Sequence, residues 1–167
     1  IHYIYFMKKK RKKKTKNNLK NKLLKKAEEE YKKNKPMSEN ITKLLKNIIK
    51  DMKKMNINVS LFGLKYKLKT QKSLADKYSR IMKREKITLN KAAKLVKDGI
   101  RFTLVFSKEK YVDGVLSLWS QLEENNFKSI TRNNKDEVRW EIGDGYQGIN
   151  TLITNNNDIP IEIQFHT

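Results

Sequence analysis

The sequence has no cysteine, and only two histidines, two prolines and six glycines among 167 residues. The missing thiols exclude disulfides and thiolate metal sites. With His2 and His166 alone, a histidine-rich metal centre is excluded too, so any metal must be a hard cation held by carboxylates. Acidic charge is scarce: 18 Asp and Glu stand against 39 Lys and Arg, a formal net charge of +21. No apolar run approaches the roughly 20 residues of a membrane-spanning helix. The short apolar stretch Ile1 to Phe6 is followed, not preceded, by basic residues, which is the wrong order for a secretory signal.

Cationic charge is abundant, and it is uneven. The first 35 residues hold fifteen Lys and Arg against three Glu, a net +12, leaving +9 for the remaining 132. A run such as Lys8 to Lys14 repels itself and has nothing to bury, so residues 1–35 are expected to form a basic leader, largely disordered or helical from about Leu19. The folding unit is expected over residues 37–167, enough for one modest core. Such charge draws polyanions, whether nucleotides, RNA or anionic lipid, and nonspecific RNA contact through the leader is one expectation. Frequent Lys, Asn and Ile also follow from an AT-rich coding sequence. The chain begins with Ile, which suggests either a fragment or a natural start at Met7, and Thr167 directly follows an apolar strand, which suggests truncation there.

Within residues 37–167, Ile41, Leu44, Leu45, Ile48, Ile49 and Met52 recur at helical spacing, predicting a one-sided helix over 38–55 with Ser38 as its cap. Residues 57–68 predict a strand or an irregular extended piece. Two short helices are expected, from Thr70 to about Arg84 and from Leu89 to Leu95, the second capped by Thr88. Ile100 to Phe106, rich in β-branched and aromatic residues, predicts a central strand. Tyr111 to Glu124 predicts an amphipathic helix presenting Val112, Val115, Leu116, Trp119 and Leu122. Strands are expected over 127–131, 137–142, 149–154 and 159–165, with a hairpin at Asn155 to Asp158. This order implies an α+β fold, a mixed sheet of about five strands flanked by helices.

Three segments gather groups suited to polyphosphates. In the first, Lys67 and Lys69 are expected to share one side of an extended piece leading into a helix on which Ser73 and Lys77, four residues apart, share a face. The free N–H groups of that helix start would add to an anion pocket, although solvated lysines explain the segment equally simply. The second is Asp98-Gly99-Ile100-Arg101 at the mouth of the central strand, suited to a metal and a phosphate or to an ordinary salt bridge. The third is Gly145-Tyr146-Gln147-Gly148-Ile149-Asn150-Thr151, followed after the hairpin by Ile161-Glu162-Ile163-Gln164-Phe165-His166-Thr167. Alternation in that last strand puts Glu162, Gln164 and His166 on one face and Ile161, Ile163 and Phe165 on the other. A mid-strand carboxylate there is either solvent-facing or a metal ligand or general base.

Taken in order over residues 67–167, these segments resemble the signature of the RelA/SpoT (p)ppGpp synthetases, a nucleotidyltransferase family, in its divergent toxin- and phage-associated branch. The chain departs from the family where Lys67 replaces an Arg, Asn150 a His and His166 an Arg, and where Asp98 stands three residues before Arg101 and not about five. The resemblance implies transfer of the β,γ-pyrophosphate of ATP to a ribose 3′-hydroxyl of a guanine nucleotide, GDP or GTP, with toxin-type relatives acting on another nucleotide or an RNA 3′ end. It implies that Lys67, Lys69, Ser73, Lys77 and Arg101 hold phosphates and that Asp98 and Glu162 bind Mg2+, with Glu162 the candidate base. Tyr146 would stack on the acceptor base, with Gln147, Asn150, Gln164 and His166 beside it. The implied site of action is cytoplasmic. A catalytically silent nucleotide- or RNA-binding module is the alternative.

Overall fold

The computed structural model describes the backbone of residues 2–132, 135–136, 139–143 and 146–167, and the side chains of residues 17–130 and 148–167. In chain order the elements are α1 (His2–Lys54), β1 (Val59–Phe62), α2 (Gln71–Glu85), α3 (Leu89–Leu95), β2 (Ile100–Phe106), α4 (Tyr111–Glu124), β3 (Lys128–Ser129), β4 (Thr131–Arg132), β5 (Lys135–Asp136), β6 (Arg139–Gly143), β7 (Tyr146–Thr154) and β8 (Ile161–His166). The α+β class with a mixed sheet is as expected. The main sheet runs β1-β2-β8-β7-β3, and β6 pairs with the first half of β7. The β2–β8 pair is parallel and the other pairings are antiparallel.

The chain divides into two compact units, Ile1–Lys32 with Thr70–Val96, and Lys33–Lys69 with Lys97–Thr167. Helix α1 contributes to both. Pro36 inside it has no N–H, so the Lys32 carbonyl four residues back loses its helical donor, and the division between units falls at that residue.

Helix α1 does not start at Ser38. Ser38 lies inside a continuous helix, buried, and its hydroxyl donates to the Lys35 carbonyl at 2.8 Å instead of capping. The upstream residues have an apolar stripe of their own to bury: Leu23 and Ala27 join Leu74, Ala75, Tyr78, Ile81, Ala92 and Val96 in the core of the first unit. Thr70 caps α2, its hydroxyl accepting from the Ser73 N–H at 3.2 Å, whereas Thr88 occupies the cap position of α3 without a side-chain bond.

Tyr78 is fully buried and its hydroxyl has no hydrogen-bond partner among the described residues. Burial, with Glu30 adding repulsion, pushes its pKa up to about 12. Tyr78→Phe removes the unmet donor while keeping the ring, so it is expected to stabilise the chain by about 1 kcal/mol in a denaturant titration. A loss of stability would show that the hydroxyl has a native partner.

In the second unit, Ile100, Phe102, Leu104 and Phe106 of β2 and Ile161, Ile163 and Phe165 of β8 form one apolar face. Met37, Ile41, Leu45, Ile48, Ile49 and Met52 of α1 and Tyr111, Leu118 and Leu122 of α4 pack in the same core. Of the expected α4 stripe, Leu122 is buried and Val115 and Trp119 pack against the core, but Val112 and Leu116 are exposed at 66% and 64%, and Tyr111, Gly114 and Leu118 are buried instead. Gly114 decides this, because a Cβ there would stand 2.5 Å from the Phe106 ring, so only a glycine lets the helix approach β2 so closely. The Tyr111 hydroxyl donates to the Phe165 carbonyl at 3.0 Å, fixing α4 to β8.

Candidate active site

Alternation along β2 and β8 sends every second residue to the face opposite that core, and on these strands all of those but Val105 are polar. Parallel register sets Arg101 beside Glu162, Thr103 beside Gln164 and Val105 beside His166. On the other side of β8, β7 sets Leu152 opposite Glu162, Asn150 opposite Gln164 and Gly148 opposite His166. Thr103, Gln164 and Asn150 thus form one row across three strands, and Arg101, Glu162 and Leu152 the next.

A continuous chain of polar contacts crosses this face. Arg101 Nε donates to Glu162 Oε2 at 2.8 Å, and an Arg101 terminal nitrogen donates to Asp98 Oδ2 at 3.0 Å. Lys69 Nζ meets the same Asp98 oxygen at 3.1 Å. On the other flank Gln164 Nε2 donates to Glu162 Oε1 at 3.2 Å, and Thr103 Oγ1 donates to Gln164 Oε1 at 2.9 Å. The side chains of Asp98 and Glu162 are each 14% exposed and that of Arg101 39%, so the guanidinium is the outermost of the three.

The backbone leading to Lys69 extends the β1–β2 pairing after a 3-10 turn at Leu64–Tyr66. Leu68 bridges Ile100, the Lys69 N–H donates to the Gly99 carbonyl at 3.0 Å, and the Arg101 N–H donates to the Lys67 carbonyl at 2.8 Å. Lys69 is thereby delivered to Asp98. Lys67 is not extended (φ −59°, ψ −23°), and its ammonium turns to α1, donating to Thr42 Oγ1 at 2.8 Å. The two lysines therefore do not share a side, because one residue of helical backbone separates their directions.

Of the residues singled out in the sequence, Lys69, Asp98, Arg101, Glu162 and Gln164 come together, with Asn150 and His166 on the same face by register. Ser73 and Lys77 lie on α2, in the other compact unit. Tyr146 and Gln147 open β7 opposite Gly143 and Ile142, and their side chains lie outside the described residues.

Three contributors escaped the sequence reading. Thr103 extends the network, Thr42 holds Lys67, and Asn34 is a buried α1 side chain, 3% exposed. A Cβ on Gly99 would stand 2.6 Å from Asn34 Nδ2, so this amide packs directly under the turn that carries Asp98. Its one legible signal is position: Asn34, Met37, Ile41 and Leu45 follow helical spacing, and a polar residue on such a stripe has a specific neighbour to serve.

Magnesium bound with a nucleotide takes one or two carboxylates plus phosphate oxygens. Asp98 and Glu162, already bridged by a cation in Arg101, offer that donor set. Among the described residues no group of three or more His, Asp or Glu gathers to hold a metal with protein ligands alone. The pair therefore fits an ion arriving with a polyphosphate, toward which Arg101 and Lys69 would turn.

Burial lowers the His166 pKa below its ordinary 6.5. The unfolded chain then takes up this proton first as pH falls, so the stability tied to neutral His166 is whole above about pH 6.5 and is lost as pH falls through the lower folded value. His166→Gln is expected to flatten the part of the stability curve just below about pH 6.5 in denaturant titrations. An unchanged slope would mean that His166 is not protected from protonation.

Neither a protein-family model nor a curated protein matches this chain. Among solved structures it is similar to the type VI effector Tas1, seen in a crystal structure of its complex with its immunity protein. Identity is 18% and the TM-score 0.39, with 87% of this chain and 60% of that one covered. This chain thus spans less than two thirds of that structure's length. Among the described residues no helix is long and apolar enough to cross a membrane.

Proposed function

We propose that the chain is a pyrophosphate-transferring enzyme of the RelA/SpoT type, with ATP as donor and a ribose 3′-hydroxyl as acceptor. The supporting observation is the placement of Asp98 and Glu162 on one open polar face, joined through Arg101. In this reaction the 3′-oxygen bonds to the β-phosphorus of ATP, the bond from that phosphorus to the α–β bridging oxygen breaks, and AMP leaves. The hydroxyl proton goes to Glu162, whose carboxylate has acceptor positions beyond those taken by Arg101 and Gln164. Lys69 and Arg101 neutralise the transferring phosphates. Asp98 and Glu162 would hold magnesium, which would supply further charge neutralisation at the phosphates. Gln164, Asn150 and His166 form the acceptor side of the face, with Tyr146 and Gln147 at its edge. Such chemistry depends on positioning and electrostatics more than on covalent steps by the protein, which suits this residue set.

The test incubates the full chain with γ-labelled ATP and magnesium plus GDP, GTP or tRNA. Label on a guanine nucleotide is the expected result, and label on tRNA would move the acceptor to an RNA 3′ end. ATP binding without transfer to any acceptor would replace the enzyme with a silent nucleotide-binding module.

A further inference from the structure

The charge of this chain follows its structure in a way that a coding bias does not explain. Residues 97–167 are rich in Asn, as a biased gene would make them, yet hold eight Lys and Arg against eleven acids. The compact unit formed by Ile1–Lys32 and Thr70–Val96 holds 21 of the 39 cations and five of the 18 acids. Part of this lies in the leader, but α2 and α3 add a second concentration far along the sequence. Lys72, Arg80, Lys83, Lys86, Lys91 and Lys94 are all exposed, and none sits in an ion pair among the described residues. Helix α2 spends its apolar side chains inward, on Leu74, Ala75, Tyr78 and Ile81. Its exposed positions are Gln71, Lys72, Ser73, Asp76, Arg80, Lys83, Arg84 and Glu85, with no apolar residue among them.

We propose that the exposed face of α2 and α3 is an RNA-binding surface that grips the phosphate backbone. Six unmatched cations within one helical pair create a positive field that releases counterions from a polyphosphate chain. A membrane surface is the poorer partner, because a helix lying on lipid needs a stripe of apolar side chains to insert, and Leu95 is the single large apolar residue exposed among the described residues of α2 and α3. The surface is sequence-independent, since lysines and arginines spread along helices read phosphates and not bases. It rests on the charge distribution and not on the reading of the sheet face.

The test measures fluorescence anisotropy of a short single-stranded RNA with the full chain, from about 50 to 200 mM salt. Binding is expected to weaken steeply with salt. The variant Arg80→Gln/Lys83→Gln/Lys91→Gln/Lys94→Gln is expected to lower the log–log salt slope by about three and the affinity at least about tenfold, each lost phosphate contact removing roughly 0.7 of slope. All four positions are exposed, and an unchanged circular dichroism spectrum verifies the fold. A second variant with Lys8 to Lys14 neutralised separates the leader. Should only that variant lose RNA, with the helix variant binding like the parent, the proposal is overturned. Binding to phosphatidylserine vesicles but not to RNA overturns it equally. Neither readout involves ATP, so the outcome is independent of pyrophosphate transfer.

Discussion

Glu162→Gln is expected to reduce pyrophosphate transfer by about a thousandfold while leaving the chain folded. Gln keeps the length of the side chain and an oxygen that can still accept from Arg101 Nε. Ile161 and Ile163 on either side are fully buried and carry the packing of β8. What the substitution removes is the negative charge, and with it, on the proposed function, both the acceptor for the hydroxyl proton and half of the magnesium pair. Arg101 stays paired with Asp98, so the stability cost is expected to be about 1 kcal/mol or less. Turnover with labelled ATP and thermal melting together decide the matter. Parental turnover in a folded Glu162→Gln chain would remove Glu162 from the reaction, and loss of turnover with loss of fold would assign it to structure alone.

Gly148→Ala is expected to destabilise the chain by about 3 kcal/mol, the upper range of overpacking in a closely packed interior. Gly148 is buried in β7 opposite His166, and a Cβ there would stand 2.5 Å from the Phe165 backbone carbonyl. A backbone atom in a paired strand cannot swing aside, so β7 must move away from β8. That shift would pull Asn150 from its place opposite Gln164, so activity is expected to fall along with stability. A denaturant titration checks the first part. Parental stability would mean that the two strands are further apart than described.

Much of this was legible because it rests on local periodicity. Strict alternation in β8 placed Glu162, Gln164 and His166 on one face before any partner strand was known, and the β-branched, aromatic run of β2 set Ile100–Phe106 as a central strand. The α4 boundaries follow from apolar spacing, but its orientation follows only in part. Val112 and Leu116 fit the stripe in sequence and are exposed, because the choice between two overlapping stripes depends on how closely Gly114 lets the helix approach Phe106. Ser38 looks like a cap to any local rule, and only the burial of Leu23 and Ala27 against α2 and α3 explains why the helix continues upstream through it.

By itself the sequence determined which strand residues share a face, the α+β class and the scarcity of metal ligands, since each depends only on composition or on a period of two or 3.6 residues. The tertiary structure alone decided that Arg101 links Asp98 to Glu162, that Lys69 joins them while Lys67 turns to Thr42, and that Asn34 lies under Gly99. Those contacts join residues up to 65 positions apart, as Asn34 and Gly99 are, and they depend on strand register and helix rotation. No local pattern encodes either one, because both are set by how distant side chains fill one shared core.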